Sequence, residues 1–370
     1  MTENKIKPLG LYVHIPFCVR KCDYCDFLSG PAGEEIQKAY VEQLLEEIRR
    51  DGNPSAAYEV QTVFFGGGTP SILRADWLCR ILCELRQIFP FSKDAEITVE
   101  ANPGTVEKEK LSAYREAGIN RLSFGLQSAR NEELKKLGRI HTWEQFLESY
   151  EWARQAGFFN INLDLMSALP GQTVRSWQKT LEEVVALDPE HISAYSLILE
   201  EGTPFYSQYE KHPDLLPSEE EERQMYSDTK RFLEARGYER YEISNYAKPG
   251  YACRHNVGYW ERTDYKGYGL GAASLLNNIR YTNQTELSGY LAGMTRGTKE
   301  VLTEQAVREE YFFLGLRKTE GVDPGKYRTY YKNLIKKLQM QQLLEEKDDK
   351  ICLTDRGIDV SNYVLAQFLD

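Results

Sequence analysis

Residues 9–27 read LGLYVHIPFCVRKCDYCDF. An apolar, β-branched run forms a strand, Pro16 ends it, and a loop follows that holds Cys18, Cys22 and Cys25. The same beginning recurs along the first two-thirds of the chain. Short apolar runs at 62–67, 96–102, 121–127, 160–166 and 191–197 alternate with segments at 37–50, 77–89, 106–117, 143–156 and 176–187, whose apolar residues fall at three- and four-residue spacing. Strand alternating with helix implies a parallel sheet. No GxGxxG opens a helix, so six such units predict an α/β fold of the partial (β/α)6 barrel type. In such barrels the chemistry collects at the C-terminal strand ends. There the chain places the cysteine loop, Gly66-Gly67-Gly68-Thr69-Pro70, Glu100 to Asn102, Gln127 and Asp164. Polar groups at five strand ends predict one shared cavity.

The barrel is expected over residues 1–240, a connecting segment over 241–302 and a smaller winged-helix-like α+β domain over 303–370, with a Tyr/Gly-rich stretch from Tyr238 to Tyr268. Ser218 before Glu219, Glu220, Glu221 and Glu222 reads as a capped helix start with a solvated face. A composition of 41% apolar and 28% charged residues is that of a globular protein with a substantial core. The net charge of −10 opposes binding to nucleic acid or anionic membranes, so the winged-helix domain is not read as a DNA-binding module. No apolar run reaches the length of a membrane span, and MTENKIKPLG holds no signal core. Seven cysteines, an odd number, suit a reducing compartment, and a cytoplasmic location is expected.

Three cysteines in one loop admit few readings. A structural zinc site wants four closed ligands, and the nearest addition is His14, on the strand itself. Three unlinked buried thiols would not need such tight spacing in polar surroundings. Three thiolates on a cubane [4Fe–4S] cluster leave one iron open, and an open iron can chelate a small molecule.

CxxxCxxC after the first strand of a parallel barrel resembles the radical S-adenosylmethionine (SAM) superfamily, in which the open iron holds SAM. The resemblance extends to the oxygen-independent coproporphyrinogen III oxidase-like, or HemN-like, group. It runs through LYVHIPFC, FFGGGTP, EANPG, RLSFGLQS, LGRIH, NLDLMSALPGQT and LTDRG. It implies Cys18, Cys22 and Cys25 as cluster ligands. It also implies Tyr12 near the cluster and SAM, Tyr24 at the adenine, and Gly67, Gly68 and Thr69 at the methionine end. Glu100, Gln127, Arg139 and Asp164 complete the lining. Glycine permits close backbone approach, so a bulky residue at Gly68 is expected to weaken SAM binding and spare the cluster.

Oxidases of this group resemble CxxxCxxCxC, and here the last cysteine position is Phe27. The HemW type lacks that cysteine and is understood as a haem chaperone. Cys253 to Trp260, CRHNVGYW, matches its HNxxYW motif. That match implies haem contact by His255 as axial ligand, with Cys253 as an alternative and Tyr259 and Trp260 as walls. A buried histidine satisfied by its neighbours is the competing reading. The function so implied is a haem chaperone carrying a [4Fe–4S] cluster and SAM. It would deliver haem to an acceptor protein, which can be membrane-associated, and would draw on an electron donor if SAM is cleaved. The alternatives are a coproporphyrinogen III dehydrogenase, which Phe27 opposes, and a radical-SAM enzyme that modifies haem.

Overall fold

The computed structural model describes residues 6–52 and 57–369; residues 1–5, part of the stretch read above for a signal core, lie outside it. Strands β1 (Lys7–Ile15), β2 (Tyr58–Gly67), β3 (Phe91–Ala101), β4 (Arg121–Gln127), β5 (Ile161–Ser167) and β6 (His191–Ser196) lie side by side in chain order, all parallel. Helices Glu34–Asp51, Ala75–Ile88, Lys108–Glu116, Trp143–Gln155 and Val174–Ala186 connect them. The last two begin in reciprocal capping boxes, Thr142 with Gln145 and Thr173 with Ser176, which satisfy backbone donors that the first turn cannot.

Residues alternate between two faces along each strand. Leu9, Leu11, Val13 and Ile15 of β1 are fully buried in the core shared with the helices, as are Leu122, Phe124 and Leu126 of β4. The intervening residues line the lumen. The sheet does not close on itself. β6 pairs antiparallel with β8 (Asn245–Ala247), itself paired to β7 (Glu239–Arg240). β1 pairs in parallel with β9 (Tyr265–Tyr268). Beyond it follow β10 (Ala273–Leu276), β11 (Ile279–Asn283) and β12 (Arg296–Val301), giving one twelve-stranded sheet. The barrel is partial, as expected. Residues 241–302 differ from the expected connector because five strands of that segment are built into the same sheet.

Glu47 ties this extension to the barrel. Its buried carboxylate accepts from the Gly269 amide (3.0 Å), Asn283 Nδ2 (2.6 Å) and the Tyr290 hydroxyl (2.6 Å). The C-terminal residues have a separate core around Phe312, Leu338, Ile351, Val364 and Phe368. They comprise helices Glu304–Gly315 and Lys332–Met340, an antiparallel hairpin of β13 (Leu344–Lys347) and β14 (Lys350–Leu353), and two short helices. The helices with their two-stranded wing match the small domain expected there. Replacing Glu47 with alanine strands three buried donors and should cost about 3 kcal/mol. A thermal or urea unfolding midpoint equal to wild type would refute this role.

Candidate functional site

The cysteine loop is pinned at its base. The Cys18 amide donates to the Gly30 carbonyl and the Gly30 amide to the Pro16 carbonyl, both at 3.0 Å. The end of β2 is laced to the same turn: the Gly68 amide donates to the Ile15 carbonyl (2.9 Å) and the Thr69 amide to the Phe17 carbonyl (2.7 Å). This contact is too close for side chains. A Cβ on Gly68 would lie 2.6 Å from the Phe17 carbonyl oxygen and 3.0 Å from Cys18 Sγ, and Gly67, at φ +112°, packs on the His14 ring. The chain's own packing therefore demands these glycines. The expectation that a bulky Gly68 variant would spare the cysteine site is corrected, because its side chain would push on Cys18 first.

Thr69 Oγ1 donates to Cys18 Sγ (3.5 Å) and accepts from Asn102 Nδ2 (2.8 Å). Arg139 donates to Cys22 Sγ (3.3 Å), to Asn102 Oδ1 (2.5 Å) and to the Gly125 carbonyl. His14 stands apart: its Nε2–H donates to the Leu28 carbonyl (3.0 Å) and its Nδ1 accepts from the Tyr12 hydroxyl (3.0 Å), leaving neither nitrogen for a metal.

The three cysteines border a cavity of about 290 Å³ at the C-terminal ends of the strands. Its floor carries two carboxylates. Glu100 accepts from the Gly67 amide (3.1 Å), and burial, reinforced by the charge of Asp164, raises its pKa to about 8. Asp164, also raised by burial, accepts from Asn162 Nδ2 (2.8 Å) and Ser123 Oγ (3.4 Å). Two desolvated carboxylates facing one space favour a cationic occupant. Gln127, at φ +71°, accepts from the Tyr195 hydroxyl (3.0 Å). Tyr24 packs edge-on to Phe205, and Phe27 stands 64% exposed at the rim.

The structure thus gathers Cys18, Cys22, Cys25, Tyr24, Gly67, Gly68, Thr69, Glu100, Gln127, Arg139 and Asp164 around one cavity. Tyr12 lies a layer deeper, bonded to His14 and stacked on Phe64, and is not among the lining residues. Sequence reasoning passed over Asn102 as an organiser of Thr69 and Arg139. It also passed over Tyr195, which the same strand-end rule applied to β6 would have found.

His255 is at the opposite end of the barrel. The helix Arg254–Trp260 lies beneath the N-terminal ends of β1 and β2, beside a cavity of about 450 Å³ lined by Gly10, Thr62, His255, Val257, Tyr259 and Tyr265 among others. His255 is only 4% exposed. Its Nδ1 bonds Thr62 Oγ1 (2.8 Å) and its Nε2 the Tyr259 hydroxyl (3.0 Å), and burial with the charge of Arg121 lowers its pKa to about 3. This is the satisfied histidine of the competing reading. Cys253 is fully buried, with its thiol toward Glu96 Oε1 (3.6 Å) and its pKa pushed up to about 12 by burial, so it is a protonated core residue rather than an alternative ligand. Trp260 faces away from the cavity and packs under the Arg317 guanidinium (4.5 Å).

Comparison with known proteins agrees with this architecture. The sequence profile of the Radical SAM superfamily matches residues 12–184, and that of the HemN C-terminal domain matches residues 302–360. The solved structure described as coproporphyrinogen III oxidase (HemN) from Escherichia coli superposes with a TM-score of 0.85 at 27% identity, over 99% of this chain and 91% of that one. Fold and profiles define a radical SAM protein of HemN-like build. The relatives narrow this. The heme chaperone HemW of Bacillus subtilis is 37% identical over 97% of this chain and 98% of its own length. That of Escherichia coli is 43% identical over 72% of this chain and 70% of its own. The chain belongs to the HemW family.

Gly68→Ala should lower stability by about 2 kcal/mol through overpacking against Phe17. Gly30→Ala, where nothing lies within 4 Å of a new Cβ, should change it by less than about 0.5 kcal/mol. Equal unfolding midpoints for the two variants would show that close packing does not dictate the glycine motif.

Proposed function

We propose that this protein is a haem chaperone: it binds haem, passes it to an acceptor protein, and carries a [4Fe–4S] cluster and SAM at the barrel mouth. The observation that carries the reading is end-to-end likeness to the heme chaperone HemW of Bacillus subtilis, 37% identical over 98% of that protein's length. The shared build with HemN is equally open to a coproporphyrinogen-oxidising reading, but Phe27 occupies the position where that resemblance calls for a further cysteine.

The chemistry of the mouth suits the cofactors. Among the described residues no three His, Cys, Asp or Glu side chains stand close enough to share a single ion. Thiols spread around a cavity suit separate corners of an iron–sulfur cluster better than one zinc. A bound cluster with one open iron supplies a chelating point for the amino and carboxylate groups of SAM and a source of one electron. Cys18, Cys22 and Cys25 would hold the cluster. Arg139 and Thr69 steady two of those sulfurs, and Asp164, joined by Glu100 once that carboxyl ionises, would face a cationic ligand from the floor. Gln127 and Tyr24 would border the rest of SAM. Haem belongs in this reading to the larger cavity beneath the barrel, beside the HNxxYW segment.

Reconstituted protein should hold about four irons per chain, and the Cys18/Cys22/Cys25 triple alanine variant none; unchanged iron and sulfide in that variant would remove the cluster assignment. Glu100 is protonated and neutral below pH 8, which takes one negative charge from the floor. SAM affinity should therefore fall as pH drops below about 8, by at most tenfold per unit. A flat titration from pH 6 to 9 would exclude Glu100 from that role. The deciding experiment is anaerobic incubation of cluster-loaded protein with SAM, dithionite and coproporphyrinogen III, alongside a haem titration of the same preparation. Haem uptake without vinyl-bearing porphyrin is the expected result. Protoporphyrinogen in the product would replace the chaperone reading with the oxidase.

A further inference from the structure

Resting on the cluster assignment above, we infer that Asn102 is a positioning residue that sets the reduction potential of the cluster. It does so by holding Thr69 and Arg139, the donors that bond the Cys18 and Cys22 sulfurs. Its main chain is fixed first. The Asn102 amide donates to Ser71 Oγ (3.3 Å), and its carbonyl accepts from the Thr105 amide (3.0 Å) and hydroxyl (2.7 Å). Lys110 Nζ clasps the same corner, donating to the Ser71 and Thr105 carbonyls at 2.8 and 2.9 Å. Gly125 leaves space for the side-chain amide: a Cβ there would lie 2.8 Å from Asn102 Oδ1 and 3.2 Å from Arg139 Nη2.

The neighbours also dictate which way that amide faces. A guanidinium offers donors only, so Asn102 Oδ1 must be the atom that accepts from Arg139 Nη2 (2.5 Å). The amide N–H is then left to donate to Thr69 Oγ1 (2.8 Å), and a hydroxyl that accepts there can direct its own proton at Cys18 Sγ (3.5 Å). The other arm of the guanidinium, Nη1, donates to Cys22 Sγ (3.3 Å). One amide thus orders the donors to two of the three cluster sulfurs, one from each end of its dipole. Hydrogen bonds to those sulfurs favour the reduced, more negative form of a cluster and raise its potential. Aspartate has the same shape and the opposite effect. With no N–H to give, it would draw the Thr69 proton away from Cys18, and its charge would offset that of Arg139 beside Cys22.

The test is an EPR-monitored redox titration of the reconstituted full chain with dithionite, without SAM, so that the potential is read apart from any turnover. Asn102→Asp should keep the iron and sulfide content of wild type and lower the midpoint. The expected shift is about tenfold toward the oxidised cluster, which is about 59 mV for one electron. Thr69→Val should move the midpoint in the same direction by a smaller amount, and Thr69→Ser, which keeps the hydroxyl, should return it to the wild-type value. A merely structural role for Asn102 would change the unfolding midpoint and leave the potential where it was. A wild-type potential in Asn102→Asp, or in Thr69→Val should Asn102→Asp lose its cluster, would overturn the inference and leave the cluster assignment standing. Wild type that takes up no iron would overturn both.

Discussion

The two-residue repeat of six parallel strands is the constraint from which the rest of the molecule follows. With one face committed to the helices, every second residue must enter the lumen. Gly10, Tyr12 and His14 do so from β1, Glu96, Thr98 and Glu100 from β3, and Arg121, Ser123 and Gly125 from β4. A lumen lined this way holds buried charge, and Arg121, 2% exposed, is the extreme case. Such groups persist only where neighbours compensate them. A chain of bonds runs through the interior: Asp164 to Asn162 (2.8 Å), Asn162 to His191 (2.5 Å), His191 to the Tyr241 hydroxyl (2.8 Å), and that hydroxyl to the Cys253 amide (3.3 Å).

The ends of this lumen have opposite characters. At the C-terminal ends, carboxylates and thiols border a small polar cavity. At the N-terminal ends, Tyr12, Phe64 and Tyr259 surround one imidazole beside a larger and more apolar space. One strand serves both, since Gly10 and His14 are lumen residues of β1 that bound the lower slot and the upper turn. Between them lies only about 13 Å of strand. Two different ligands can therefore be held by one rigid element without sharing a surface.

Much of this was legible in the sequence because it is periodic and local. Strand ends come from apolar runs, and the polar residues at those ends come with them, so the shared cavity of Glu100, Gln127 and Asp164 was foreseen without knowing any contact. What escaped was settled across the fold. Asn102 gains its role from Thr69 and Arg139, which no spacing rule relates to it. Tyr12 sits on the right face but one layer too deep, because His14 intervenes. His255 reads as a ligand in its motif, yet Thr62 and Tyr259 occupy both of its nitrogens. The strand β9 is four residues long with a glycine inside it, and only its pairing with β1 marks it as a strand.

That last pairing bears on how the chain is made. β1 is among the first segments to leave the ribosome, but one of its two sheet neighbours, Tyr265–Tyr268, emerges more than two hundred residues later. At synthesis rates of about 5–20 residues per second this interval lasts on the order of ten seconds or more. Throughout it β1 keeps one unpaired edge, the kind of surface on which nascent chains join wrongly. The floor of the lower cavity is incomplete for the same period, because Thr62 and Gly10 wait for the helix that brings His255. The lower end of the lumen is thus finished late, after the opposite end has all its parallel strands.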